Sequence, residues 1–146
     1  MHKLARLAFA LGAIFPWVSI ASADTLGRSE RELRLECAFE PPGVRECLEK
    51  KAAGSEVELK DAEEKAVDVL SKWDEDAKYV NQAKAKLKAS NRDFITYRDA
   101  QCAFASSLGG GAIGNALAMR RFACVAELNG RRALQLRDLV SDRPLK

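Results

Sequence analysis

Apolar residues recur along this chain at intervals of three and four, and strict alternation is nearly absent. That spacing stacks them on one stripe of an α-helix, because positions three and four apart share a helical face. Alanine, leucine, glutamate, lysine and arginine are abundant, and all of them favour helix. The pattern predicts an all-α fold, a small bundle of about four helices. Helix A is expected over residues 29–40, with Ser29 as N-cap and Leu33 and Cys37 on one face. Pro41-Pro42-Gly43 stops it, since proline cannot continue a helix and biases its predecessor away from helical geometry. Helix B starts near Val44, carries Cys47 and Leu48, weakens at Gly54-Ser55, and continues through Ala62, Ala66, Val69, Leu70 and Trp73. Asp74-Glu75-Asp76 marks a loop or bend. Helix C covers roughly residues 79–106, with Val80, Leu87, Phe94, Tyr97 and Phe104 as apolar positions, and Gly109-Gly110-Gly111 ends it. Helix D begins before Leu117 and carries Phe122, Val125, Leu128, Leu136 and Val140. Asn129-Gly130 weakens it without ending it, because Arg132 and Leu136 keep the period.

The first 23 residues read differently. Lys3 and Arg6 precede an apolar run from Leu7 to Ile20, and Ala21-Ser22-Ala23 supplies the small residues that a signal peptidase requires. The run is too short for a permanent membrane span. No cysteine adjoins the predicted cut after Ala23, so no lipid anchor is expected there. Residues 24–146 are then expected as one helical domain, periplasmic or secreted, with no later span. Its cysteines are Cys37, Cys47, Cys102 and Cys124, an even set in a small exported chain, which favours disulfides over a metal site. Three pairings are open to four cysteines. Helical geometry favours one of them. Cys37 and Cys47 lie five residues either side of Pro42, so a hairpin turning at the prolines brings them level. Cys102 and Cys124 are likewise equidistant from Ile113, which leaves residues 109–115 projecting beyond the helix ends. The expected architecture is two helical hairpins, each stapled by a disulfide.

Charge is distributed unevenly. Residues 24–76 hold 16 acids and 9 bases, a net of −7, while residues 77–146 hold 5 acids and 13 bases, a net of +8. Two antiparallel halves with complementary faces would account for this. A functional reading is a dipolar molecule whose acidic end attracts a basic protein. Nucleic acid is not expected as a partner, because the basic half carries no recognised binding motif and the chain is read as exported.

His2 is the only histidine, and it leaves with the signal peptide. The mature chain therefore has no Ser-His-Asp or Cys-His centre and no imidazole for a catalytic zinc site. Carboxylates alone can run glycoside hydrolysis. Here the acids read as solvated helix faces, none set apart in an apolar site that would raise its pKa. No catalytic residue, metal or cofactor is expected. Gly109, Gly111 and Gly114 satisfy G-x-G-x-x-G, but the dinucleotide fingerprint needs a strand before it, and this one follows a helix. Tyr97 is expected in the core, with Arg98 and Asp99 in local ion pairs, and Trp73 as a packed anchor. Arg120-Arg121 and Arg131-Arg132 each place one arginine nearer the core than its neighbour.

Leu87, Ser90, Asn91, Phe94, Tyr97-Arg98-Asp99, Cys102, Gly109-Gly110, Cys124, Asn129, Arg132 and Leu136 resemble the pattern of LprI-type lysozyme inhibitors. In that family the pattern runs Leu, polar, aromatic, Tyr-Arg-acid, Cys, Gly-Gly, Cys, Thr, Arg, Leu. Asn91, Phe94 and Asn129 stand here where Gln, Trp and Thr are usual. Cys37 and Cys47 resemble the family's first cysteine pair, with Glu40-Pro41-Pro42-Gly43 between them. The resemblance implies an exported, disulfide-stapled helical protein that binds and inhibits lysozyme. The alternative is a periplasmic structural or adaptor protein that binds another envelope component. For the inhibitor, the candidate contacts are Gly109, Gly110, Gly111 and Asn115 on the projecting loop, with Arg120 and Arg121 behind it. A narrow loop suits a cleft, and a cation suits the two carboxylates at its floor.

Overall fold

A computed structural model describes residues 27–112 and 114–146 of the chain. The expected signal peptide, its cleavage site and Ile113 lie outside the described residues. The elements are α1 (Glu30–Cys37), α2 (Val44–Lys72), α3 (Ala77–Ser107) and α4 (Ala116–Val140).

Local chemistry explains the ends. Ser29 caps α1 in a reciprocal capping box: its side chain accepts from the Glu32 amide, and its own amide donates to the Glu32 carboxylate at 2.7 Å. Those bonds hold the Glu32 carboxyl below the usual range. α1 ends at Cys37, short of residue 40, because the chain already tightens there. The Ala38 amide donates to Leu35, that of Glu40 to Cys37, and that of Gly43 to Glu40. Gly43 takes φ 97°, a conformation that a side chain disfavours. α2 passes through Gly54-Ser55 unbroken. Trp73 leaves the helix in extended geometry and pairs with Leu145 in a single bridge, flanked by Asp74 donating to Pro144 and Lys146 donating to Lys72. Asp76 then caps α3 by accepting from the Lys78 amide at 2.7 Å.

The core is a seam between α2 and α4. Leu48 packs with Ala123 and Ala126, and Ala52 with Cys124 and Val125. Further along, Leu59 and Ala62 pack with Ala133 and Leu136. Both sets of numbers rise together, so α2 and α4 run parallel. α3 is antiparallel to both, with Cys102 and Ala105 at the Ala52 level and Phe94 and Leu87 at the Leu59 level. The two charged halves therefore do not meet chiefly as antiparallel neighbours. The reason is that α3 carries the chain back, so that α4 starts again beside the start of α2. Alanine at so many seam positions lets the backbones approach closely. The larger residues Leu33 and Leu48 are fully buried where α1 joins the seam, each contributing about 2 kcal/mol.

Charge pairing follows the helices more than the halves. Arg120 lies 3.9 Å from Glu30 across the two halves. Most other described pairs stay within one half, as in Lys51 with Glu36 at 2.6 Å and Arg131 with Glu127 at 2.6 Å. Among the described residues, no helix is long and apolar enough to cross a membrane.

Candidate functional site

One end of the bundle gathers the features that sequence singles out. Because α2 and α4 are parallel, their first turns lie side by side, with the ends of α1 and α3 beside them. Cys37 and Cys47 are disulfide-bonded with Cα atoms 5.6 Å apart, and Cys102 and Cys124 are bonded at 5.5 Å. Each bridge closes the hairpin expected of it. Pro42, Gly43, Val44 and Arg45 from the first turn share an open depression with Asn115 and Met119 from the second. The two connecting turns are thus neighbours, each anchored by its own disulfide.

The glycine turn is fastened at its base. The Gly109 amide donates to Ser106, the Gly110 amide to Ser107, and the Ala112 amide to Gly109. The Ser106 hydroxyl donates across the turn to the Leu117 carbonyl at 3.0 Å. Gly109 sits so close to Leu117 that a Cβ would come within 2.4 Å of its side chain. Gly110, Gly111, Gly114 and Asn115 are exposed beyond this base. Gly110 and Gly114 hold φ 58° and 83°, which explains the glycine content without a phosphate ligand.

Arg120 and Arg121 do not form a joint rim behind this loop. Successive helical residues point about 100° apart, and here they go to different neighbours. Arg120 faces Glu30 of α1. Arg121 is exposed in a groove with Glu49, Glu56, Arg98 and Asp99.

The residues of the family-like pattern assemble into a polar seam behind the loops. Arg98 donates to the Asn129 side-chain oxygen at 3.2 Å and pairs with Asp99 at 2.9 Å. Asn129 donates to the Ser55 hydroxyl at 3.1 Å, and Ser55 donates to the Ala52 carbonyl at 2.7 Å. Asn129 and Ser55 are completely buried, so this chain satisfies groups that would otherwise cost about 1–3 kcal/mol each. It ties α2, α3 and α4 together just below the Cys102–Cys124 bridge.

A second tie lies further along. Arg132 donates to the Ser90 hydroxyl at 2.9 Å, to Asn91 at 3.0 Å and to Gln135 at 2.7 Å, with its guanidinium 5.8 Å from the centre of the Phe94 ring. Burial lowers the Arg132 pKa, against the opposing pull of Glu63. Burial also raises the pKa of Glu63, against Arg132. An acid in a partly apolar setting was not expected from the sequence. It arises because Glu63 sits beside the Leu59 and Ala62 positions of the seam.

Tyr97 departs from its expected place: it is 54% exposed, as is Phe104 at 58%. Both lie with Leu108 on the outer flank of α3, seven and four residues apart. Arg98, not Tyr97, turns inward. Ser55 and Asn129 were missed as seam residues, although a signal existed. Positions 48, 52, 55, 59, 62 and 66 of α2, and 122, 126, 129, 133 and 136 of α4, alternate in steps of four and three. Ser55 and Asn129 fall on that register.

The family model described as "Lysozyme inhibitor LprI" matches residues 38–136. No curated protein matches the chain, and no solved structure does. The matched span takes in both connecting turns, the Cys102–Cys124 bridge and every member of the two polar ties, and it ends on Leu136. On that match the chain belongs to the LprI lysozyme-inhibitor family.

Proposed function

We propose that the mature chain is an exported, non-enzymatic protein that binds and inhibits lysozyme, the muramidase that cleaves peptidoglycan. Family membership over residues 38–136 is the observation that carries this reading. Two disulfides suit the oxidising envelope or exterior where lysozyme meets peptidoglycan, and cleavage after Ala23 would release the chain there. Lysozyme cuts with a pair of carboxylates in a cleft. An inhibitor has to occlude that cleft with a shape that does not collapse. The glycine turn is fastened at its base and held by Cys102–Cys124, which limits the ordering entropy lost on binding. Gly110, Gly111 and Asn115 are its proposed contacts, with Gly109 shaping its base.

The test is a cell-wall lysis assay with purified mature protein against lysozymes of several structural types. The proposal predicts protection that titrates with inhibitor. No protection at large molar excess over every type would sink it.

One observation favours the adaptor alternative. Tyr97, Phe104 and Leu108 give α3 an exposed apolar flank that runs down from the glycine turn along the helix. If that flank is what the chain works through, alanine substitution there abolishes partner binding while lysis proceeds unhindered.

A further inference from the structure

The sequence points to the glycine turn, and the structure puts a second turn next to it. Residues 38–43 join α1 to α2 inside the loop closed by Cys37–Cys47. Three amide bonds and two prolines fix their path. Phe39 stands on this turn at 91% exposure, and Leu35, also exposed, precedes it by one helical turn. A lone surface phenylalanine is ordinary. One held by a disulfide-closed turn beside a proposed binding loop is a preorganised aromatic anchor, the kind of residue that concentrates binding energy.

Arg45 adds charge at the same place. It is exposed and lines the depression shared with Asn115. Among the described residues it makes no ion pair, while its neighbour Glu46 is engaged by Lys50 at 2.9 Å. Glu46 and Glu49 line that depression as well. The α4 arginines near this end do not line it, although Arg121 is exposed too. Arg120 faces Glu30, and Arg121 shares its groove with Glu49, Glu56 and Asp99.

We infer that the lysozyme-binding surface is composite: the residue 38–45 segment lies against the enzyme beside the glycine turn, with Phe39 as apolar anchor and Arg45 as the cation presented to the catalytic carboxylates. This rests on the inhibitory reading above. The fit is chemical. A glycan cleft binds the apolar faces of sugar rings, which a phenyl ring replaces, and its paired carboxylates at neutral pH are complementary to an unpaired guanidinium. The acidic excess of residues 24–76 plays a different part. It attracts a basic enzyme from a distance and governs the association rate, whereas Arg45 acts at contact and governs dissociation.

The experiment compares wild-type mature protein with Phe39→Ala, Arg45→Glu and, as a control, Arg121→Glu against a chicken-type lysozyme. Lysis inhibition and binding kinetics are read together, with both disulfides and helicity verified in each variant. Phe39→Ala is expected to weaken inhibition about 10-fold and Arg45→Glu about 30-fold, mostly through faster dissociation, with Arg121→Glu changing it less than about 3-fold. Wild-type inhibition that survives both Phe39→Ala and Arg45→Glu overturns the composite surface and leaves the inhibitory function standing. Absence of wild-type inhibition overturns both.

Discussion

The two ends of this bundle are held together by different means. At the loop end, Leu33, Cys37, Cys47, Leu48, Ala123 and Ala126 form a buried cluster and two disulfides cross-link adjacent helices. At the other end, α3 buries no residue before Cys102, and Leu87 and Phe94 only lean on the seam. There α2 and α4 still bury Leu59, Ala62, Ala133 and Leu136 between them, but α3 is tied on by Arg132, and the Trp73–Leu145 bridge holds the tail. Covalent closure is spent where two short turns have to keep one shape. For α3, hydrogen bonds and a partial apolar contact suffice at the far end. That contrast is what favours the loop end as the proposed working end.

Cutting the staples tests the contrast most severely. Replacing Cys102 and Cys124 with serine is expected to cost about 3.4 kcal/mol for a separation of 22 residues, and replacing Cys37 and Cys47 about 2.7 kcal/mol for 10, on the chain-entropy relation. Denaturant unfolding measures both, and losses below about 1 kcal/mol would deny the staples their role. Asn129→Ala leaves Arg98 and Ser55 short of a partner in the buried seam and is expected to cost about 2–3 kcal/mol. Arg132→Ala, at the far tie, is expected to cost about 1–2 kcal/mol. Its mark should be local: faster amide exchange around residues 87–94 and none around 109–115.

The two ends also answer pH in opposite directions. Burial alone would raise the Glu36 pKa, but hydrogen bonds from Lys51 and Arg28 outweigh it and hold the carboxyl below 4.5. Its stabilisation is complete above 4.5 and is lost as pH falls through the lowered folded value. Glu63 is the reverse. Its pKa is raised above 4.5, so its contribution is full below 4.5 and is lost as pH rises through the folded value. Relative to wild type, Glu36→Gln is therefore expected to lose stability as pH rises from about 2 to 5, and Glu63→Gln to gain it as pH rises from about 4 to 7. Parallel trends in the two variants would contradict this account. The smallest effect is Gly54→Ala. Gly54 lies inside α2 with open space where a Cβ would go, and the change is expected to stabilise by about 0.5–1 kcal/mol.

What sequence made legible here was local. Ser29, Pro41-Pro42-Gly43, Asp76 and Gly109-Gly110-Gly111 punctuate the chain through backbone chemistry that needs no tertiary partner, and the helices begin and end close to them. Both disulfides followed from hairpin symmetry, because a helix is a ruler. What stayed hidden was which helix lies beside which. The apolar residues counted for α4 were the large ones, Phe122, Val125, Leu128, Leu136 and Val140. Val125 and Leu136 are buried there as expected, but the rest of the seam is Ala123, Cys124, Ala126, Asn129, Gly130 and Ala133, small or polar residues that raise little hydrophobic signal. The same error placed Tyr97 inside, since an aromatic residue on a helix is usually core and here the narrow inner face of α3 is taken by Arg98, Cys102 and Ala105. Glu63 was read as solvated because its burial depends on that unseen packing. For the candidate site, Gly109, Gly110, Gly111 and Asn115 were visible as a loop. Arg45 was not, because its lack of a partner is a property of the fold.

Amide hydrogen exchange on the mature protein, alone and saturated with a lysozyme that it inhibits, tests the central claim most directly. The loop end as the working end predicts slowed exchange across residues 38–46 and 109–116, with residues 73–90 unchanged. Protection confined to residues 73–90, or along the outer face of α2 away from both turns, would contradict it.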